Sequence, residues 1–206
     1  MSESRITFPC GDLKLEGLLM LPEGETSGAV VICHPHPLYG GSLYNNVVEA
    51  VLEAFRRRQF ATLRFNFRGV GESEGEYDGG EGELDDVREA VAFLAGKAAV
   101  KSVTLAGYSF GASVSLRAGL TDPAVNGLVL VALPVALMTG PSDITSKPVL
   151  LVSGDRDSYS PVEALQTLAS KLGSRARVEV LTGADHFFGG CEARLSELIG
   201  RALADR

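Results

Sequence analysis

The pentad Gly107-Tyr108-Ser109-Phe110-Gly111 sets a serine between two glycines, where the apolar run "VTLAGY" gives way to the helical pattern of "GASVSLRAG". A strand, a tight turn and a helix in that order lift a serine hydroxyl clear of its own backbone, and such a turn tolerates only small neighbours. A serine here could also do no more than cap the helix, but a glycine at both ends points to a nucleophile. A serine hydroxyl is weak by itself and needs an adjacent base, a histidine held by a carboxylate. His186, in "GADHFFGG", is the one histidine downstream of Ser109, and it follows the last strand-like run, "RVEVLT". Between them, "LLVSGDRDSYSP" offers Asp155 and Asp157 just past a strand end. Asp155 could instead tie down the turn through backbone amides. Asp185 adjoins His186, and adjacent side chains on an extended segment point apart. A serine, an acid and a histidine in that order suit acyl transfer.

Acyl transfer also needs hydrogen-bond donors aimed at the oxyanion of the tetrahedral intermediate. The backbone N–H after the nucleophile, that of Phe110, is one. The loop "HPHPLYGG", His34 to Gly41, follows the run "GAVVIC" and is the place for the second. Pro35 and Pro37 have no N–H to give, which leaves His36 and Leu38. The two histidines one residue apart also suggest a metal clamp, but no third ligand stands at a compatible spacing, so no metal is expected. His34 is expected to hold the loop by hydrogen bonds. Leu38, Tyr39, Phe110, Tyr159 and Phe187 are expected to form apolar walls of a substrate pocket.

Those residues need a scaffold that brings distant segments to one edge. Strand-like and helix-like runs alternate along the chain. "RITFPC" and "LKLEGLLML" read as two opening strands joined at Gly11-Asp12. "GAVVICHP", "FATLRFNF", "VTLAGY", "GLVLVALP", "PVLLVSG" and "RVEVLT" read as further strands, most of them apolar throughout. Helical spacing spans Asn45 to Gln59, Leu84 to Gly96, Gly111 to Leu120, Val162 to Leu172 and Glu192 to Leu203. The pattern predicts an α/β fold: a mostly parallel sheet of about eight strands, helices on both faces, the first two strands antiparallel at an edge. No repeat or linker divides residues 1–206, which are expected to form a single domain. The polar stretch Gly69 to Glu83, "GVGESEGEYDGGEGE", is expected to be a solvated loop entering a helix. Its glycine spacing fits neither phosphate-binding motif and its charge would repel phosphate. No cofactor is expected. Arg68 and Asn66, in "RFNFRGVGES", are expected to brace loops, although Arg68 could also meet an anionic substrate group.

Composition excludes several classes. The chain of 206 residues is 45% hydrophobic and 22% charged, which argues against disorder. A net charge of −7 and the lack of a basic stripe argue against nucleic acid as a partner. Arg56-Arg57-Arg58, the one basic run, falls where cations favour a helix C-terminus. No apolar run approaches the length of a membrane span. "MSESRITFPC" holds no secretory leader, and three widely spaced cysteines do not make a disulfide framework. A cytoplasmic protein without membrane partners is expected.

Taken together, "GYSFG", "SGDRDSYSP", "ADHFF", "RFNFRGVGESEG" and "HPHPLYGG" resemble the α/β-hydrolase superfamily over nearly the whole chain. The chain is most similar to its small lidless members, akin to esterases and dienelactone-hydrolase-like proteins. The resemblance implies that Asp157, the second aspartate of its loop, is the acid, and that the His36 N–H is the second oxyanion donor, with Leu38 next. Two departures stand out. Ser109 occupies the place where dienelactone hydrolases carry cysteine, so their lactone chemistry does not carry over. His34-Pro35 stands where many relatives have histidine-glycine. Only thirteen residues separate Pro134 from Pro148, too few for a lid domain. The expectation is a serine hydrolase cleaving small-molecule carboxylic esters of short acyl chain. Thioester or lactone hydrolysis comes next, and a hydrolase-fold receptor or binding protein with little turnover is the alternative.

Overall fold

The computed structural model describes residues 3–135 and 145–204. An eight-stranded sheet organises them: β1 (Ser4–Cys10), β2 (Leu13–Met20), β3 (Ala29–Cys33), β4 (Ala61–Phe65), β5 (Val103–Tyr108), β6 (Val125–Val131), β7 (Val149–Gly154) and β8 (Ala176–Leu181). The spatial order is β1-β2-β4-β3-β5-β6-β7-β8. β1 pairs antiparallel with β2, and β2 with β4; every pairing from β4 to β8 is parallel. Five helices cover it: α1 (Asn46–Arg56), α2 (Gly82–Ala98), α3 (Phe110–Thr121), α4 (Val162–Leu172) and α5 (Glu192–Ala204).

β3, β4, β5 and β7 are buried at every position because each face is covered. In β3, Ala29, Val31 and Cys33 join one core with α2, α3 and α4, while Val30 and Ile32 join the other with α1 and α5. The alternation of side chains across a strand produces that split. The expected elements are all present, with ends shifted by a few residues. α1 stops at Arg56 rather than Gln59 because the chain turns there, with Gln59 at φ 56°. Asn45 caps α1 by accepting from the Val47 N–H at 2.9 Å.

The polar stretch before α2 is a largely exposed loop entering the helix, as expected, but a few of its residues turn inward. Ser73 and Glu83 are buried, and Glu83 accepts from the N–H groups of Asp78 (2.9 Å) and Gly80 (2.7 Å). These inward residues anchor a loop whose other residues mostly face water. Arg68 and Asn66 are braces, as expected. Arg68 pairs with the buried Asp86 at 2.7 Å, and Asn66 binds Glu16 and the Leu43 N–H at 2.8 Å each. The residues between Pro134 and Pro148 from 136 to 144, where a lid was not expected, lie outside the described residues.

Candidate active site

The strands β3, β5, β7 and β8 all end at one edge of the sheet, and the loops that leave them meet there. This is where open parallel sheets hold ligands. Ser109 occupies the junction of β5 and α3 at φ 53°, ψ −115°, a strained conformation for a residue with a Cβ. Both flanking glycines are demanded by space. A Cβ on Gly107 would lie 2.3 Å from the Gly111 carbonyl oxygen. One on Gly111 would lie 2.4 Å from the carbonyl oxygen of His34. The elbow can be this tight only without those two side chains.

His186 Nε2 lies 3.0 Å from Ser109 Oγ, and its Nδ1 lies 2.9 Å from Asp157 Oδ2. Asp157 has no exposed side-chain surface, and its Oδ1 accepts from the N–H groups of Tyr159 (2.9 Å) and Ser160 (3.0 Å). Two backbone donors and one imidazole thus fix the carboxylate, and the carboxylate fixes the ring. Asp155 does other work: it accepts from the Gly183 N–H at 2.7 Å and ties the acid loop to the histidine loop. Asp185 accepts from the Phe187 N–H within its own turn. The His186 loop is held from several sides. Tyr108 donates its hydroxyl to the His186 carbonyl at 2.9 Å. Burial raises the Tyr108 hydroxyl pKa, so this donor keeps its proton. Phe188 is fully buried in the core, while the Phe187 beside it faces the cleft.

The loop after β3 is set by its two histidines. His34 is wholly buried. Its Nδ1 donates to the Pro35 carbonyl at 2.6 Å, and its Nε2 accepts from the Phe67 N–H at 3.1 Å. Burial pushes its pKa down to about 4, so the ring is neutral. His36 Nδ1 accepts from the Leu38 N–H at 3.2 Å, and its Nε2 meets the Tyr77 hydroxyl at 3.3 Å. Its ring lies against Tyr39, Tyr77 and Phe110, with centroids 4.7–4.9 Å apart. All four ring nitrogens are thus committed to protein groups, and the histidine pair is a loop brace in this geometry. The Leu38 N–H is spent on His36, which removes it as an oxyanion donor. Among the described residues, the N–H groups of His36 and Phe110 have no partner within the chain.

A cleft of about 770 Å³ opens above Ser109. Tyr39, Phe110, Tyr159 and Phe187 line it, as expected. Leu38 is not among the lining residues and is 67% exposed. Sequence reasoning missed Tyr77, Gly79, Gly80, Ser113 and Arg117, which also line it. Ser113 and Arg117 had a signal, since they recur at four-residue spacing from Ser109 along α3 and so share its face. The others come from the polar loop Gly69 to Glu83, whose lack of periodicity gives no sign of which residues face the cleft.

The comparisons with known proteins agree with this architecture. The family model described as serine aminopeptidase, S33 matches residues 24–143, which contain Ser109 but neither Asp157 nor His186. An α/β serine hydrolase homologue from Coxiella burnetii is 36% identical, with a TM-score of 0.90 over 98% of each chain. An α/β serine hydrolase without a lid from Xanthomonas campestris is 28% identical, with a TM-score of 0.89 over 100% of this chain and 95% of its own. An uncharacterized Rickettsia prowazekii protein is 29% identical, covering 89% of this chain and 82% of its own. The chain belongs to the α/β serine hydrolase family, and its fold is the α/β-hydrolase fold of the lidless members. No helix among the described residues is long and apolar enough to cross a membrane.

Proposed function

We propose that the chain is a carboxylic ester hydrolase that works through an acyl-enzyme on Ser109. The observation that carries this reading is the unbroken relay from Ser109 Oγ through His186 to Asp157 on the floor of an open cleft. Ser109 Oγ attacks the ester carbonyl as His186 Nε2 takes its proton. Asp157 holds the Nδ1–H tautomer and stabilises the imidazolium. The free N–H groups of Phe110 and His36 receive the oxyanion. His186 then gives the proton to the departing alcohol. A water molecule, deprotonated by the same imidazole, attacks the acyl-enzyme and releases the acid.

The cleft favours small substrates. It is rimmed by Tyr39, Tyr159 and Phe187, which are more than half exposed and give apolar contact without enclosing a long chain. Short acyl groups therefore fit best. The test is labelling by a fluorophosphonate probe together with hydrolysis of 4-nitrophenyl acetate, butyrate and palmitate. Wild type should label and cleave the two short esters faster than palmitate, and Ser109→Ala should do neither above background. A wild-type protein that neither labels nor turns over overturns the reading.

A further inference from the structure

Ser109, the residue that precedes α3, and Ser113 and Arg117 on it follow at four-residue spacing and all line the cleft. A helix rises 1.5 Å per residue, so the backbone of Arg117 stands about 12 Å along the axis from that of Ser109. Side chains on a helix lean toward its N-terminus, so the arginine reaches back along the cleft toward the serine. The guanidinium ends close to Phe110. A Cβ placed on Gly80 would lie 3.5 Å from Arg117 Nη1 and 3.7 Å from the Phe110 ring, so both flank one spot on the cleft wall.

The lining is one-sided in charge. Among the described residues it includes Arg117 and no aspartate or glutamate, in a chain of net charge −7. The guanidinium is held only at the rim. Nη1 donates to the Gly80 carbonyl at 3.4 Å, and Nη2 to Glu81 at 2.7 Å. That ion pair is 43% and 72% exposed on its two sides, and exposed pairs of this kind hold their partners weakly. The guanidinium is thus free to exchange Glu81 for another carboxylate, which it can grip through two parallel N–H bonds. The buried Glu83 already spends its oxygens on the N–H groups of Asp78 and Gly80.

We infer that Arg117 is a specificity-determining residue that selects esters bearing a carboxylate several bonds from the scissile carbonyl. The inference rests on the ester-hydrolase reading and adds the charge of the substrate to it. An ester anchored at both points is positioned for attack, so the preference reads out in kcat/KM.

The experiment compares matched esters on the full chain. Mono-4-nitrophenyl succinate, glutarate and adipate carry the carboxylate on the acyl side. The butyrate ester of 4-hydroxybenzoate, set against phenyl butyrate, carries it on the alcohol side. The readout is the ratio of kcat/KM for each anionic ester to that of its neutral counterpart, so losses common to both cancel. Arg117→Gln should lower that ratio about tenfold in at least one series. Arg117→Lys should restore part of it, and Glu81→Gln, which frees the guanidinium, should raise it. Equal ratios in wild type and Arg117→Gln across both series overturn the inference. Loss of neutral and anionic ester hydrolysis in parallel shows a merely structural role for Arg117 and overturns it too. Wild-type inactivity on every ester is a different failure, that of the hydrolase reading itself.

Discussion

Asp155 and Asp157 sit two residues apart on one loop, and their surroundings assign them different work. Asp157 is buried against His186, whereas Asp155 bridges to Gly183. Asp157→Asn keeps the shape but favours the wrong imidazole tautomer, so kcat should fall by about 10³–10⁴-fold. Asp155→Asn retains an oxygen for the Gly183 N–H and should cost far less. Steady-state kinetics on 4-nitrophenyl butyrate decides this, and the reverse pattern would move the acid to Asp155. His34 yields a second expectation at the same scale. Its pKa is about 4 in the folded chain, below the ordinary 6.5. The unfolded chain therefore binds more protons between those values, and stability rises with pH across that window. The contribution is complete above about pH 6.5 and lost as pH falls to about 4. It amounts to about 3 kcal/mol. Urea denaturation across this range should show a steeper fall for wild type than for His34→Gln; parallel curves would contradict it.

At the scale of elements, the junction of β5 with α3 depends on Gly111. Helix propensity alone would make Gly111→Ala stabilising by about 1 kcal/mol. The new Cβ, however, would meet the His34 carbonyl oxygen at 2.4 Å. Backbone cannot yield there without moving the loop after β3, so the clash wins. The variant should lose about 3 kcal/mol or more, and a rise in Tm would refute the packing argument. The same element shows what a sequence can reveal. Strand β5 and the elbow were legible because a fully buried strand reads as a continuous apolar run and the turn demands glycine. Candidates for the acid and base were legible because the order of serine, acid and histidine leaves few residues, and the family resemblance then favours Asp157 over Asp155. The stretch from Gly69 to Glu83 was legible as a loop entering a helix, but its inward contacts were not. Most of its glycines and carboxylates are exposed, but Glu83 is buried and accepts from two N–H groups of the loop itself. That is a tertiary arrangement without periodicity, and it concealed Tyr77, Gly79 and Gly80 in the cleft wall. Leu38 failed for a related reason: the His36 side chain captures its N–H, and spacing cannot foresee that capture.

Across the whole molecule, the two cores on either side of the sheet hold a backbone conformation that Ser109 would not choose for itself. With φ 53° and ψ −115°, a residue with a Cβ carries strain of about 1–3 kcal/mol. Glycine accepts that geometry without the steric penalty, though it gives up more chain entropy on folding. Removing the Ser109 side chain altogether should thus make a sturdier protein. Ser109→Gly is expected to be inactive toward esters and more stable by about 1 kcal/mol, measured as a higher Tm and a higher urea midpoint. A lower midpoint would mean that the bond from Ser109 to His186 outweighs the strain. If the gain is observed, the serine at the elbow is retained against the thermodynamic interest of the fold. Thermal robustness and turnover would then pull in opposite directions at this one residue.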